Sequence, residues 1–285
     1  MMRHSFTHEA MATTFTIVIA DQLRDYARQA TTAAFRELDR LENELSLYVE
    51  SSDIARANRM KCGETISIGD DALQCLLLAA EVSLVTGRAF DAAYASDYGP
   101  DVPLDPVPFT LDPAAHTLTS RVPRLQLDLG AIGKGYALDQ LDRILDEWSI
   151  ASACLSAGGS SVLATGAPLD GEGWRIGLGE EASYCTLDLT RCALSGSGLA
   201  VQGAHIADPR TRTIAVRANR IWALAPTAAL SDALSTAFFV SSSAEIERVC
   251  VELPSVGAAW ITNGAGLETC GQLRTLVACG GRRET

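Results

Sequence analysis

The sequence predicts an α+β fold, a single compact domain with helices packed on a mixed β-sheet core. Helical periodicities crowd its first half, and short strand-like runs dominate beyond Trp148. The two do not alternate strictly, as a doubly wound sheet would require. No repeat, low-complexity tract or linker divides the chain, so residues 1–285 read as one domain.

The elements follow in order. Residues 13–20, TTFTIVIA, are β-branched and apolar enough for a strand. From Leu23 to about Leu45, Tyr26, Ala27, Ala30, Ala34, Leu38 and Leu41 recur at helical spacing. A second helix is expected from Asp71 to Thr86, with Asp70 as N-cap and Gly87 just past its end. The proline-rich stretch 99–123 reads as an irregular excursion. In LDLGAIGKGYALD, 127–139, Leu125, Leu127 and Leu129 alternate with Gln126 and Asp128 like a strand. A helix follows, with Leu138, Leu141, Ile144, Leu145 and Trp148 on one face and Asp139, Asp142, Asp146 and Glu147 on the other. Later strands are expected at 153–156, 161–165, 174–178, 184–189, 214–224, 256–262 and 274–278, interrupted by a helix from Ala228 to Val240.

Composition narrows the function. A net charge of -12 and a pI near 4.8 leave no basic patch to neutralise a nucleic acid. No apolar run reaches the roughly 20 residues of a membrane helix, and His4, His8 and Glu9 interrupt the N-terminus where a signal peptide would lie. The 8 cysteines show no C-x-x-C pair and no zinc spacing. The expectation is a reduced, cytoplasmic protein.

The chemistry-bearing residues sit in separate short stretches. Gly130, Gly133 and Gly135 surround Lys134 between a strand-like segment and a helix. The spacing fits neither a Walker A loop nor a dinucleotide fingerprint, in which Leu138 would be glycine. What remains is general: close backbone approach and a helix N-terminus beside a cation suit an anion, while a plain turn with a surface lysine suits the pattern as well. In APTAALSDALSTAFFV, 225–240, Asp232 is the only charge on an apolar helix, with Thr236 one turn on. Two hard oxygens on one face suit Mg²⁺, whereas a carboxylate stabilised by the helix dipole needs no metal. His205, in GAHIADPRT, and His116 are the interior histidines available for proton transfer. Tyr48, just past the long helix, can stack on a planar ring or close the core.

Taken together and in order, MATTF, LSLYVESSDIARAN, AFD, LDLGAIGKGYALD, AGGSS, SGSG, HIADPRT and APTAALSDALSTAFF resemble the ApbE-type FAD:protein FMN transferases over about residues 10–262. The resemblance implies a T-fold-like domain that splits FAD, moves FMN onto a Ser or Thr hydroxyl of an acceptor protein, releases AMP and uses Mg²⁺. It implies an FAD site lined by Met11, Tyr48, Ala89, Phe90, Asp91, Asp128, Lys134 and Ile206. It places Mg²⁺ on Asp232, Thr236 and the Ala131 carbonyl, with His205 beside the site as the base. Ala12 stands where the family usually has Gly, Ser160 where it commonly has an acidic residue or Asn, and Gly133 where Ala is common. The alternatives are an FAD pyrophosphatase giving FMN and AMP, and an FAD-binding protein without turnover.

Overall fold

A computed structural model describes residues 2–97, 107–179, 184–198, 207–214, 220–262 and 266–280. The first strands are β1 (Arg3–Ala10) and β2 (Thr13–Ala20), followed by helices α1 (Arg24–Leu45) and α2 (Asp53–Ala57). Next come β3 (Thr65–Ser67), α3 (Asp70–Val85), β4 (Phe109–Asp112), β5 (Thr117–Ser120) and α4 (Gly133–Glu147). The second half holds β6 (Ala153–Ala157), β7 (Ser161–Thr165), β8 (Trp174–Leu178), β9 (Cys185–Leu189) and β10 (Cys192–Gly198). It continues with β11 (Ala207–Asp208), β12 (Thr213–Ile214), β13 (Arg220–Ala225), α5 (Ala228–Val240) and α6 (Ser243–Glu252). The last elements are β14 (Gly257–Ile261), β15 (Leu267–Cys270) and α7 (Gly271–Gly280).

The main sheet runs β1-β2-β6-β7-β10-β13-β14-β15, so its strand order follows chain order. Every pairing in it is antiparallel, where a mixed sheet was expected. Between neighbouring strands the chain makes excursions, and these supply everything else except α7, which follows β15. The excursion from β2 to β6 carries α1 to α4 and the small sheet β3-β5-β4. The excursion from β13 to β14 carries α5 and α6.

Both faces of the sheet are covered. Phe15, Ile17, Leu155, Leu163 and Ile221 join the main core with Leu38, Leu141, Leu145, Leu234 and Phe238 of the helices. On the other face Leu194, Trp222, Leu224 and Ile261 pack against Trp174, Leu178 and Leu187 of the β8-β9 ribbon and Leu273 of α7. Alternation along the strands divides residues between the two cores, which is why central strands read as nearly continuous apolar runs.

The long helix forms where its periodicity places it, with Ala27, Ala30, Ala34, Leu38, Leu41 and Leu45 buried. α5 is buried on nearly every face and capped by Thr227, whose side chain accepts from the Leu230 N–H. Other expectations change. Asp70 lies inside α3 and Gly69 is its N-cap, while Gly87, at φ +59, ends the helix as expected. The stretch 125–129 is extended but joins no sheet. Asn58 pairs its side-chain amide with both the N–H and the carbonyl of Leu127, and one buried face suffices to impose the alternation. Residues 274–278 are helical within α7, because a short apolar run does not separate helix from strand. The stretch expected as one strand over 214–224 contributes Ile214 to β12 and 220–224 to β13, which ends at Ala225. β4 and β5 form an antiparallel pair inside the proline-rich excursion, and β1 and β10 lie where no strand was expected.

Phe238 is 1% exposed between the sheet and the helices. Phe238→Ala is expected to lower unfolding stability by about 3–5 kcal/mol, since the cavity adds to the lost transfer energy. Urea denaturation should show a shifted midpoint at unchanged slope.

Candidate functional site

The site forms where the N-termini of α4 and α5 meet. Lys134 and Gly135 occupy the first turn of α4, which has no side-chain cap of its own. The Gly135 N–H donates instead to Asp232 Oδ2 at 3.2 Å. Only glycine permits this approach, because a Cβ at position 135 would lie 2.2 Å from the Ala228 carbonyl oxygen. In return α4 caps α5: the Ala228 and Ala229 N–H groups donate to Asp139 Oδ1 and Oδ2 at 2.7 and 2.8 Å. With Thr227 holding the Leu230 N–H, the otherwise unpaired donors of the first α5 turn are satisfied.

Asp232 is 5% exposed. The Ser161 hydroxyl donates to its Oδ1 at 3.1 Å, and Lys134 Nζ stands 3.6 Å from Oδ2 while donating to the Gly130 carbonyl at 2.8 Å. A buried carboxylate is tolerable on these terms, with two neutral donors and an ammonium beside it. Next to Ser161, in register on β10, Ser195 is buried with no hydroxyl partner among the described residues, and Ser197 bonds Ser235 of α5. A polar seam therefore runs under Asp232. Thr236 is half-buried one turn further along the same helix.

Two other predicted stretches are tied to the glycine loop through its backbone. The Asp128 N–H donates to the Ala92 carbonyl at 2.8 Å, bringing Asp128 beside the Ala89-Phe90-Asp91 run. Ala89 and Phe90 are buried, and Asp91 accepts from the Ala93 N–H, with Arg88 4.0 Å away. Burial pushes the Asp91 carboxyl above its ordinary range, opposed by that N–H and by Arg88. Asp128 Oδ1 accepts from the Gly130 N–H at 2.7 Å, shaping the loop that carries Ala131. The Asn58 clamp on Leu127 joins the stretch after Tyr48 to the same loop. The Tyr48 ring itself is 85% exposed, so it does not close the core.

Met11 and Ala12 form the β1–β2 turn, both with left-handed backbone at φ 50 and 57, and the Met11 N–H donates to Glu42 of α1 at 2.7 Å. Ala12 thus adopts a conformation that glycine takes without strain. His205 and Ile206 lie outside the described residues.

Two participants escaped the sequence reading. Asp139 was assigned to the polar face of its helix; it is half-buried as the cap of α5. Ser161 lay within the noted AGGSS stretch, but nothing in a strand-leading serine signals a carboxylate partner on a helix packed against the sheet.

The donor set can be tested against a metal. Among the described residues no three His, Cys, Asp or Glu side chains cluster as a metal cage. An ion held at Asp232 would draw its remaining ligands from hydroxyls, carbonyls, water and substrate phosphates. Mg²⁺ is bound in that way, so the residues present fit it.

Comparison with known proteins identifies the family and the fold. The sequence profile of the ApbE family matches residues 11–98 and 101–260. A Haemophilus influenzae FAD:protein FMN transferase is 25% identical over 280 residues, covering 83% of this chain and 80% of that protein. The Salmonella typhimurium FAD:protein FMN transferase is 29% identical over 154 residues, 49% of this chain and 44% of its own length. Among solved structures, a mutant of the Vibrio cholerae flavin transferase ApbE superimposes with a TM-score of 0.82 at 20% identity, covering 97% of this chain and 100% of that one. The apo flavinyl transferase ApbE of Pseudomonas stutzeri gives 0.80 at 21% identity, over 96% of each chain. These structures share the fold.

The Asp139 carboxyl is pushed up to about 6, chiefly by burial, with Asp142 and Asp232 adding repulsion against the two N–H bonds that oppose the shift. The folded state therefore holds this proton more tightly than the unfolded chain. Its contribution to stability is complete below about pH 4 and is lost as pH rises through about 6, by at most about 3 kcal/mol. Urea midpoints of the wild type should fall across that window relative to Asp139→Asn, which lacks the titrating group.

Proposed function

Because the chain belongs to the ApbE family, we propose that it transfers FMN from FAD to a Ser or Thr hydroxyl of an acceptor protein and releases AMP, with Mg²⁺ as cofactor. The observation that carries this reading is the buried Asp232, held between the α4 N-terminus, Lys134 and Ser161 by stretches the family profile spans. The names of the relatives support FAD as the donor and a protein as the acceptor.

The residues divide the work. Asp128, Lys134 and the Ala89-Phe90-Asp91 run, with Met11, Tyr48 and Ile206, hold FAD. The first turn of α4 and the Lys134 ammonium face the pyrophosphate, where a helix N-terminus and a cation both favour negative charge. Asp232, Thr236 and the Ala131 carbonyl would hold Mg²⁺. When bound, Mg²⁺ offsets phosphate charge as AMP leaves. The acceptor oxygen attacks the phosphorus of the FMN half, the phosphorus–oxygen bond to AMP breaks, and the hydroxyl proton passes to His205. A His205→Ala variant isolates that proton transfer.

The test is incubation with FAD, Mg²⁺ and a candidate acceptor, followed by mass spectrometry of protein and nucleotides. An FMN adduct with AMP is expected; FMN and AMP without an adduct would instead identify a pyrophosphatase. Asp232→Asn should lose turnover by about 10²-fold or more while remaining folded, because it removes charge from a buried position. His205→Ala should keep FAD affinity and lose roughly 10²–10⁴-fold in the single-turnover rate. A loss confined to FAD affinity would remove His205 from the chemistry.

A further inference from the structure

Asp139 does more than start a helix. Thr227 holds only the Leu230 N–H of α5, and Asp139 completes the cap by taking the Ala228 and Ala229 N–H groups. What Asp139 adds is a link to a different helix. Gly135 and Asp139 lie one turn apart on α4, and their partners, Asp232 and the Ala228-Ala229 N–H pair, lie one turn apart on α5. Two separated points fix rotation as well as distance; one alone would leave a pivot. The arrangement is retained although burial and the neighbouring Asp142 and Asp232 disfavour a charge there.

We propose that Asp139 is a positioning residue that sets the rotation of α5 and thereby presents Asp232 and Thr236 for metal binding. This rests on the reading of those two residues as metal ligands given above. Asp139→Asn retains one acceptor but turns an N–H toward one of the two donors it must satisfy, while removing a buried charge. The fold should therefore persist as the clamp loosens.

The experiment uses Mn²⁺ as the probe, titrated into the full chain and followed by electron paramagnetic resonance. Wild type, Asp139→Asn, Asp139→Ser, Asp232→Asn and Ser242→Ala are compared. Ser242 caps α6 outside the clamp and serves as the control for general loss of stability. Weakening of Mn²⁺ affinity by roughly 10–100-fold in Asp139→Asn, with Ser242→Ala unchanged, is expected. FAD:protein transfer by Asp139→Asn should recover at raised Mg²⁺. Wild-type Mn²⁺ affinity in both Asp139 variants would overturn the positioning role alone. Equal weakening in Ser242→Ala would reduce it to ordinary stability. No Mn²⁺ binding by the wild type would overturn the metal reading with it.

A second observation stands independently. Cys250 of α6 and Cys270 at the end of β15 are buried with their Sγ atoms 3.3 Å apart. The Cys270 sulfur accepts from the Cys250 thiol and from the Ala258 N–H, which holds its thiol below the ordinary range and pushes that of Cys250 up. We infer that the pair is a disulfide site, closed by exchange with a small-molecule disulfide. The Cys270 thiolate attacks one sulfur of that disulfide and expels a thiolate. Cys250 then attacks the mixed disulfide through its thiolate and expels the second, so two protein thiols and one disulfide give a protein disulfide and two small thiols. Refolding with oxidised glutathione, then alkylation and peptide mapping, should show Cys250 linked to Cys270. Cys250→Ser should stop at a glutathione adduct on Cys270. Free, alkylated thiols at both positions after this treatment would overturn the site.

Discussion

The reciprocal capping of α4 and α5 is the constraint on which the rest of the site depends. Each helix begins with backbone N–H groups it cannot satisfy itself, and each receives a carboxylate from the other. Because α4 comes from the excursion before β6 and α5 from the one before β14, the exchange ties two distant parts of the chain at one point. The backbone contact at Gly135 sets how near they come. Lys134 is thereby carried to Asp232, and the glycine loop to the end of a buried helix.

That geometry also explains how an acidic protein can keep a carboxylate buried and still receive a phosphate compound. The Asp232 charge is met by an N–H, a hydroxyl and an ammonium, none of which is another acid. The nearby Tyr136 phenol donates to Asp71, which also bonds Arg40, so the first turn of α4 is anchored to α1 and α3 from behind. Lys134 is held in the same way, by the Gly130 carbonyl and Asp232.

How much of this was legible depended on how local each signal was. The helices α1 and α5 could be read because periodicity, the Thr227 cap and the absence of interior Gly or Pro all agree. The glycine loop and the Asp232-Thr236 pair could be read as patterns whose individual alternatives stayed open. Asp139 could not: on a helix that alternates acids and leucines, nothing local separates an acid facing solvent from one facing another helix. The same holds for Ser161, whose partner lies on a helix distant in sequence. β1 and β10 were missed because their polar and glycine-containing sequences become strands only through their neighbours' pairing. Conversely, the alternation at 125–129 was real but marked one buried face of an extended segment clamped by Asn58.

The order of strands in the main sheet has a consequence for the route by which the molecule forms. β6 to β7 and β14 to β15 are short local pairings, but β2 must find β6 across the whole excursion that separates Ala20 from Ala153. The entropy of closing so long a loop grows only slowly with its length, so little equilibrium stability is lost. Its effect falls on the rate instead, since long-range antiparallel pairing slows folding. The helices inside that loop, with their local contacts, provide the compact surface on which β2 and β6 can meet. The segment that carries the glycine loop therefore first shortens the search between the strands.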